Sequence, residues 1–401
     1  MRRHSVARAG HPAYTPYRSP EVFAVEDTSV QLHWRGLPPG EVEVHVVERR
    51  DPGVVVARAL ASAGGPGGAG AATVDGLQPA TEHQAVVTPV RGPSATVAFT
   101  TLAPPPGPLL TRVATMSDLH LGTTGFGLFP RARDPETPAA ATPGFAPHTL
   151  RAAHAGARAL REWGAELVVL KGDLTDNGRV DEWRAVGELV EATGLPTLLM
   201  LGNHERMRRP GRVDPAVGLA EIGRRTDRVL VHDVPGARLV LADTTSDHGW
   251  GTLRRVHDEV VDAVREAAPG PAIVLLHHYL EPFAVPTFWP PGVPAWQARR
   301  FTAALAAANP ATLLTSGHSH RHRRHDMHGL AVVEVGAPKD YPGVWAGYAI
   351  HEGGVRQVVR RIATPECLAW TDRTRGAMAG LWGHWTPGRL GDRCFTIAWP
   401  R

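Results

Sequence analysis

ATLLTSGHSH, residues 311–320, is an apolar run that stops at a glycine and then offers two histidines spaced i and i+2. Residues two apart in an extended segment point the same way, so His318 and His320 can enter one pocket. Upstream the same arrangement recurs. RVATMS (112–117) leads into Asp118-Leu119-His120, and ELVVLK (166–171) into Gly172-Asp173. PTLLML (196–201) leads into Gly202-Asn203-His204-Glu205, and PAIVLL (271–276) into His277-His278. With ARLVLA (237–242) and LAVVEV (330–335) the apolar runs number seven, and the five above deliver metal-competent side chains at their carboxyl ends. Between the runs, HTLRAAHAGARALREWG (148–164) and DEWRAVGELVEATG (181–194) place apolar residues at i, i+3 and i+4, the period of an amphipathic helix. Strands alternating with helices predict a layered α/β domain, in which the carboxyl edge of the sheet is where ligands bind.

Outward from these runs the pattern changes. From Glu21 to Leu102 short alternating stretches such as SVQLHW (29–34), EVEVHVVE (41–48) and ATVAFTTL (95–102) are separated by turn clusters, GLPPG (36–40) and AGGPGGAG (63–70) among them. Period-two alternation between regular turns predicts a small antiparallel β-sandwich over residues 21–103. Residues 104–111 form a proline-rich linker, expected to be stiff and extended, before an α/β domain over residues 112–363. Residues 1–20 read as a loosely held tail, and the Pro/Gly-rich loop 122–148 interrupts the α/β pattern. The extension 364–401 carries Trp370, Trp382, Trp385 and Trp399 without ligand spacing, and is expected to be a packing appendage rather than a lid.

With 401 residues, 43% of them hydrophobic, the chain can bury more than one core. All but two of its 43 basic residues are arginines, but they are scattered and the formal net charge is only +4. A nucleic-acid face needs basic charge gathered on one side, so nucleic-acid binding is not expected. Cys367 and Cys394 are too few for a disulfide framework and read as two packed thiols. The basic start lacks an apolar stretch behind it and no run is long enough to span a membrane, which predicts a soluble cytoplasmic protein; a homo-oligomer stays open.

The donors at the strand ends are Asp118, His120, Asp173, Asn203, His277, His318 and His320: imidazole, carboxylate and amide oxygen, without thiolate. That set suits iron, manganese, zinc or cobalt as divalent or trivalent ions. Seven donors exceed what one such ion needs from side chains, and a carboxylate can serve two ions through its two oxygens. Two metal ions are therefore expected.

Asp-x-His, Gly-Asp, Gly-Asn-His-Glu, His and Gly-His-x-His, in this order over roughly residues 112–360, resemble the calcineurin-like metallophosphoesterase family. The resemblance implies an α/β/β/α sandwich that hydrolyses phosphate mono- or diesters through a metal-bridging hydroxide, with a phosphorylated small molecule as substrate. It implies that Asp118, His120 and His320 hold one ion, that Asn203, His277 and His318 hold the other, and that Asp173 bridges them. His277 is favoured over His278 because the family uses the first residue after the strand. His204 would contact the phosphate and assist the leaving group. Residues 21–103 resemble a fibronectin type III domain through Trp34 and GLQPATEH (76–83), where His83 replaces the usual tyrosine. Asp176 stands three residues after Asp173, where purple acid phosphatases keep a tyrosine, so the block looks closer to the cyclic-nucleotide phosphodiesterase-like branch. Competing readings are a non-catalytic protein that binds a partner through its β-sandwich, and a nuclease of the same family. His322, His325 and His328 are expected to be exposed on a hairpin beyond the site. Arg112, Glu205 and Asp243 read as structural residues, though each could support a ligand by a hydrogen bond.

Overall fold

The computed structural model describes residues 20–64, 67–123, 125–126, 132–133 and 147–400. The expected tail, apart from Pro20, and most of the loop 122–148 lie outside the described residues.

Seven strands come first: β1 (Glu21–Val25), β2 (Ser29–Trp34), β3 (Gly40–Glu48), β4 (Asp51–Ala63), β5 (Gly70–Asp75), β6 (Glu82–Pro89) and β7 (Ala95–Thr100). They pair antiparallel in two sheets, β1-β2-β5 and β4-β3-β6-β7. Alternation sets their inner faces, as in β6, where His83, Ala85, Val87 and Pro89 are buried in turn. His83 lies 3.3 Å by its Nε2 from the Gln78 carbonyl, so its ring reaches back to the main chain upstream.

The rest of the chain forms β8 (Leu109–Met116), the short pair β9 (Gly125–Phe126) and β10 (Ala132–Arg133), α1 (Pro147–Glu162), β11 (Leu167–Lys171), α2 (Val180–Thr193), β12 (Thr197–Met200), α3 (Asn203–Arg206) and α4 (Pro215–Glu221). Then come β13 (Val229–Val234), β14 (Ala237–Ala242), α5 (His257–Ala267), β15 (Ala272–Leu276), α6 (Ala295–Ala308), β16 (Thr312–Ser316), β17 (Arg323–Met327) and β18 (Leu330–Glu334). Last are β19 (Val344–His351), β20 (Gly354–Arg361), α7 (Pro365–Thr374), α8 (Leu381–Trp385), α9 (Leu390–Arg393) and β21 (Phe395–Ala398). All seven apolar runs are strands. They fall into two six-stranded sheets, β12-β11-β8-β19-β20-β21 and β13-β14-β15-β16-β18-β17.

Residue parity decides the layers. Val113, Val169, Leu241, Ile273, Leu313 and Val333 point inward and share one core between the sheets. Their neighbours Ala114, Val168 and Leu170 face outward against Leu160 of α1 and Trp183 and Leu189 of α2. Val240, Val274 and Leu314 face Val260 and Val264 of α5 and Phe301 and Leu305 of α6. The order is α/β/β/α, as expected, with the all-β region at its N-terminal side.

Residues 104–111, read as a stiff, extended linker, are tied to the α/β layers. β8 already begins at Leu109, and the backbone N–H groups of Gly353 and Glu352 donate to the carbonyls of Pro106 (3.0 Å) and Pro108 (3.1 Å). Cys367 and Cys394 are free and buried, as packed thiols. Among the described residues, no helix is long and apolar enough to cross a membrane.

Candidate metal centre

The ligand-bearing residues sit where the chain turns off the strand ends. Five of them have left-handed backbone: Asp118 (φ +58°), His120 (+44°), Asp173 (+48°), His318 (+67°) and His320 (+52°). A residue with a Cβ pays about 1–3 kcal/mol to sit there, and such strain gathers at functional sites. Main-chain bonds between the two turns hold it: Asp118 N–H donates to Gly172 O (3.0 Å) and His120 N–H to Asp173 O (2.9 Å). The glycines before the ligands provide room. A Cβ on Gly202 would collide with Asp173 and with His277 Nε2, and one on Gly317 with Ser117 Oγ and Asp118 Oδ2.

Side chains separated by two hundred positions meet here. The Asp118 carboxylate accepts from His318 N–H (3.0 Å), and its Oδ1 is 3.6 Å from His320 Nε2. Asp173 lies in the middle. Its Oδ1 is 3.3 Å from His277 Nε2 and accepts from His204 N–H (2.9 Å); its Oδ2 is 3.5 Å from His120 Nε2. Asn203 Oδ1 is 2.9 Å from His277 Nε2. Donor atoms of Asp118, His120 and His320 all lie within 4.8 Å of one another, as do those of Asp118, Asp173 and His277, and those of His277, His278 and His318. All seven expected ligands are thus gathered in one place, and His204 stands beside them, its ring centroid 4.3 Å from that of His120. His278 is also close. Its Nδ1 meets Thr244 Oγ1 at 3.0 Å, and its ring centroid lies 4.5 Å from that of His318.

These residues fit a pair of metal ions. The buried Nε2 atoms of His120, His278 and His318 have no hydrogen-bond partner, a state that costs roughly 1–3 kcal/mol per group unless something else satisfies the lone pair. Burial pushes His318 down to about 3, with the charge of His277 adding to it, and burial with the nearby His204 puts His120 well below the usual range. Both rings therefore offer neutral nitrogen, the form that ligates. Burial would raise Asp173, but His277, His204 and His120 outweigh it and hold the carboxyl well below its ordinary value. Burial would also lower His277, but Asp173 raises it to about 9, so a cation entering there displaces a proton.

A second ring of residues orients the first. Glu205, fully buried, accepts from Gly202 N–H (2.7 Å), Asp173 N–H (3.1 Å), Thr175 N–H (2.9 Å) and Thr175 Oγ1 (2.8 Å). It takes the supporting role that sequence alone did not assign it. Asp176 lies 3.4 Å from His120 Nδ1, and its carbonyl accepts from His204 Nδ1 at 2.7 Å. Asp340, which no motif flagged, accepts from His320 Nδ1 at 2.7 Å. Lys171 is buried and donates to Thr315 Oγ1 (3.0 Å) and Ser316 O (3.1 Å), joining the two sheets beneath the site. Asp243 acts one step away, pairing with Arg206 Nε (3.0 Å) and accepting from Thr245 N–H (2.9 Å). Arg112 is elsewhere, its guanidinium 5.5 Å from the Trp163 ring centroid.

Two expectations need correction. His325 and His328 do lie on the β17–β18 hairpin, half-buried and exposed, but His322 is buried, with Nδ1 accepting from Gly336 N–H (3.2 Å). The tryptophan-rich extension is not packing alone. Trp370, Trp382 and Trp399 are all buried, but the Trp382 ring stands 6.3 Å from that of His320 and, with the exposed Trp385, walls the cavity beside the histidines.

Two facing sheets with an imidazole–carboxylate cluster at their strand ends define a class, the metal-dependent phosphoesterases. The sequence pattern of the calcineurin-like phosphoesterase family matches residues 111–322, more than half of the chain, and the chain belongs to that family. The family implies a dinuclear metal centre. Among solved structures the chain is similar to a purple acid phosphatase from yellow lupin seeds (15% identity, 86% of this chain and 72% of that one, TM-score 0.45). It is also similar to PhoD (11%, 87% and 87%, TM-score 0.42) and to a dimetal phosphatase from Danio rerio (14%, 64% and 98%, TM-score 0.47). Likeness this distant carries no argument about chemistry. No curated protein sequence matches the chain.

Proposed function

We propose that Asp118, His120 and His320 hold one metal ion and Asn203, His277 and His318 the other, with Asp173 shared between them, and that the chain hydrolyses phosphate mono- or diesters. The observation that carries this reading is the placement of Asp173, whose two oxygens face opposite groups, His277 with Asn203 on one side and His120 on the other. When bound, such a pair supplies an activated water and positive charge against the phosphoryl oxygens. The protein's own residues supply the rest. His204 spends Nδ1 on the Asp176 carbonyl, which leaves Nε2, 4.0 Å from Asp173 Oδ2, to hold or pass a proton at the departing oxygen. Asp176, held at about 2 by His120 against the opposing effect of burial, stays charged beneath both rings and fixes their orientation. Nδ1 of His320 is committed to Asp340, so Nε2 is the nitrogen turned to the site. The non-catalytic reading is disfavoured by a complete ligand set.

Protein loaded with manganese, iron, zinc or cobalt should retain two ions per chain and turn over bis(p-nitrophenyl) phosphate. Asp173→Ala should lose both properties together. Turnover that survives in Asp173→Ala would sink the assignment.

A further inference from the structure

Beside His318 and His320 opens a cavity of about 640 Å³ whose other walls are almost wholly apolar. One wall is the loop after β15, with Phe288 and Trp289; the other is the C-terminal extension, with Ala377, Met378, Trp382 and Trp385. Phe288 bridges them, its ring centroid 6.0 Å from Trp382 and 6.1 Å from Trp385. Among the described residues on these walls, apart from the two histidines, the Thr287 hydroxyl is already committed, donating to Glu281 Oε2 (3.0 Å) and accepting from Arg321 (2.8 Å), and the other polar side-chain atoms are the indole N–H groups of the tryptophans, that of Trp382 buried without a hydrogen-bond partner. A bound group with a hydrogen-bonding edge of several donors and acceptors would find only indole N–H donors beside the histidines, and most of its desolvation would go uncompensated.

The walls are held in shape before any ligand arrives. Glu281 accepts from Tyr279 Oη (2.8 Å), Thr287 N–H (3.0 Å) and Gly292 N–H (3.3 Å), and so folds the loop around one buried carboxylate. Arg321 pairs with Glu334 (2.8 Å) and reaches the Thr287 carbonyl (3.0 Å). Opposite, Thr386 O accepts from His322 N–H (2.9 Å), and Tyr341 N–H donates to Thr374 Oγ1 (2.8 Å). Indole and phenyl faces fixed around a slot favour a flat apolar partner, by edge and face contacts added to area burial.

We propose that this cavity selects the substrate: the chain acts on phosphoesters that carry an aryl or arylalkyl group, with the phosphoryl group at the histidine end and the ring between Phe288, Trp382 and Trp385. The proposal rests on the metal-centre reading above for its chemistry, though not for its binding.

The test uses metal-loaded protein and diesters that all release 2,2,2-trifluoroethanol, a leaving group without a ring, read by fluorine NMR, with methyl, hexyl, naphthylmethyl or thymidine-5′ as the second ester group. The common leaving group keeps the reacting bond constant. Naphthylmethyl should exceed methyl in kcat/KM by about tenfold or more and should lead the series, given what one methylene is worth in an apolar pocket. In Trp385→Ala and Trp289→Ala, at exposed positions (41% and 74%) where folding is not at stake, that advantage should shrink to under about threefold. A flat series, or one led by hexyl or thymidine, overturns the proposal. Calorimetric binding of naphthylmethylphosphonate against methylphosphonate separates the two readings. Preference for the naphthyl compound without any turnover keeps the pocket and rejects the hydrolase, and equal binding rejects the pocket.

Discussion

Glu205 carries more of this site than its place outside the ligand set suggests. Its carboxylate receives three N–H groups and a hydroxyl from the turns that bear Asp173 and Asn203, and burial with the charge of Asp173 raises its pKa. Glu205→Gln would put an amide N–H against backbone donors, and metal affinity should fall about 10–100-fold with the fold retained, read by competition with a chelator. Unchanged affinity would show that the turns hold their shape without it. Gly317→Ala tests the close approach from the other side. Its methyl would meet Ser117 and Asp118, so the variant should bind fewer than two ions per chain by elemental analysis. In the sequence the Gly-Asp, Gly-Asn-His-Glu and Gly-His-x-His blocks were legible as candidate ligand sources, because glycine and metal-competent residue are adjacent. Asp340 was not. It is twenty positions from His320, inside an ordinary APKDY stretch, and only the return of the chain to β19 places it there.

At the scale of elements, β20 is the seam between the all-β region and the catalytic layers. Arg361 on it is buried and donates to Pro342 O (2.8 Å) and Thr371 Oγ1 (2.9 Å), with His33 Nδ1 at 3.0 Å; its main chain is clasped by Gln31 at 2.7 and 3.1 Å. Arg356 reaches Asp27 (3.1 Å), Arg360 reaches Ser29 Oγ (2.9 Å), and Arg393 beyond β20 donates to Phe23 O (2.8 Å). Arginines that looked scattered in the sequence are gathered here by the fold. Arg361→Met should lower the unfolding free energy by roughly 2–3 kcal/mol in urea titration, because buried acceptors lose their donor. A loss below about 1 kcal/mol would mean the seam does not depend on this side chain.

For the molecule as a whole, several buried histidines link stability to acidity. Burial, with Lys339 and Arg151 adding charge, pushes His148 down to about 3, and burial also lowers His33. Each is neutral in the fold and titrates near 6.5 when unfolded. Their contribution is fully present above about pH 6.5 and is lost as the pH falls toward the folded values, since the unfolded chain then binds protons that the fold refuses. For His148 this amounts to roughly 2 kcal/mol between pH 7 and pH 5. His148→Phe keeps a ring against Trp370, at 3.9 Å between centroids, and should flatten the acid side of the melting-temperature profile. An unchanged slope would rule His148 out as a contributor.

By itself the sequence determined seven strands of the α/β region, their parity, the alternation with helices and the metal-competent side chains at five strand ends. Each of these depends on neighbours within a few positions: period two, period 3.6, or a glycine beside its ligand. The tertiary structure alone decided that Asp173 faces two sides, that Asp340 locks His320, that His322 is buried and that Trp382 and Trp385 wall the site. Those facts depend on how two sheets and a returning C-terminus meet, and contacts between residues far apart in the chain leave no local period to read.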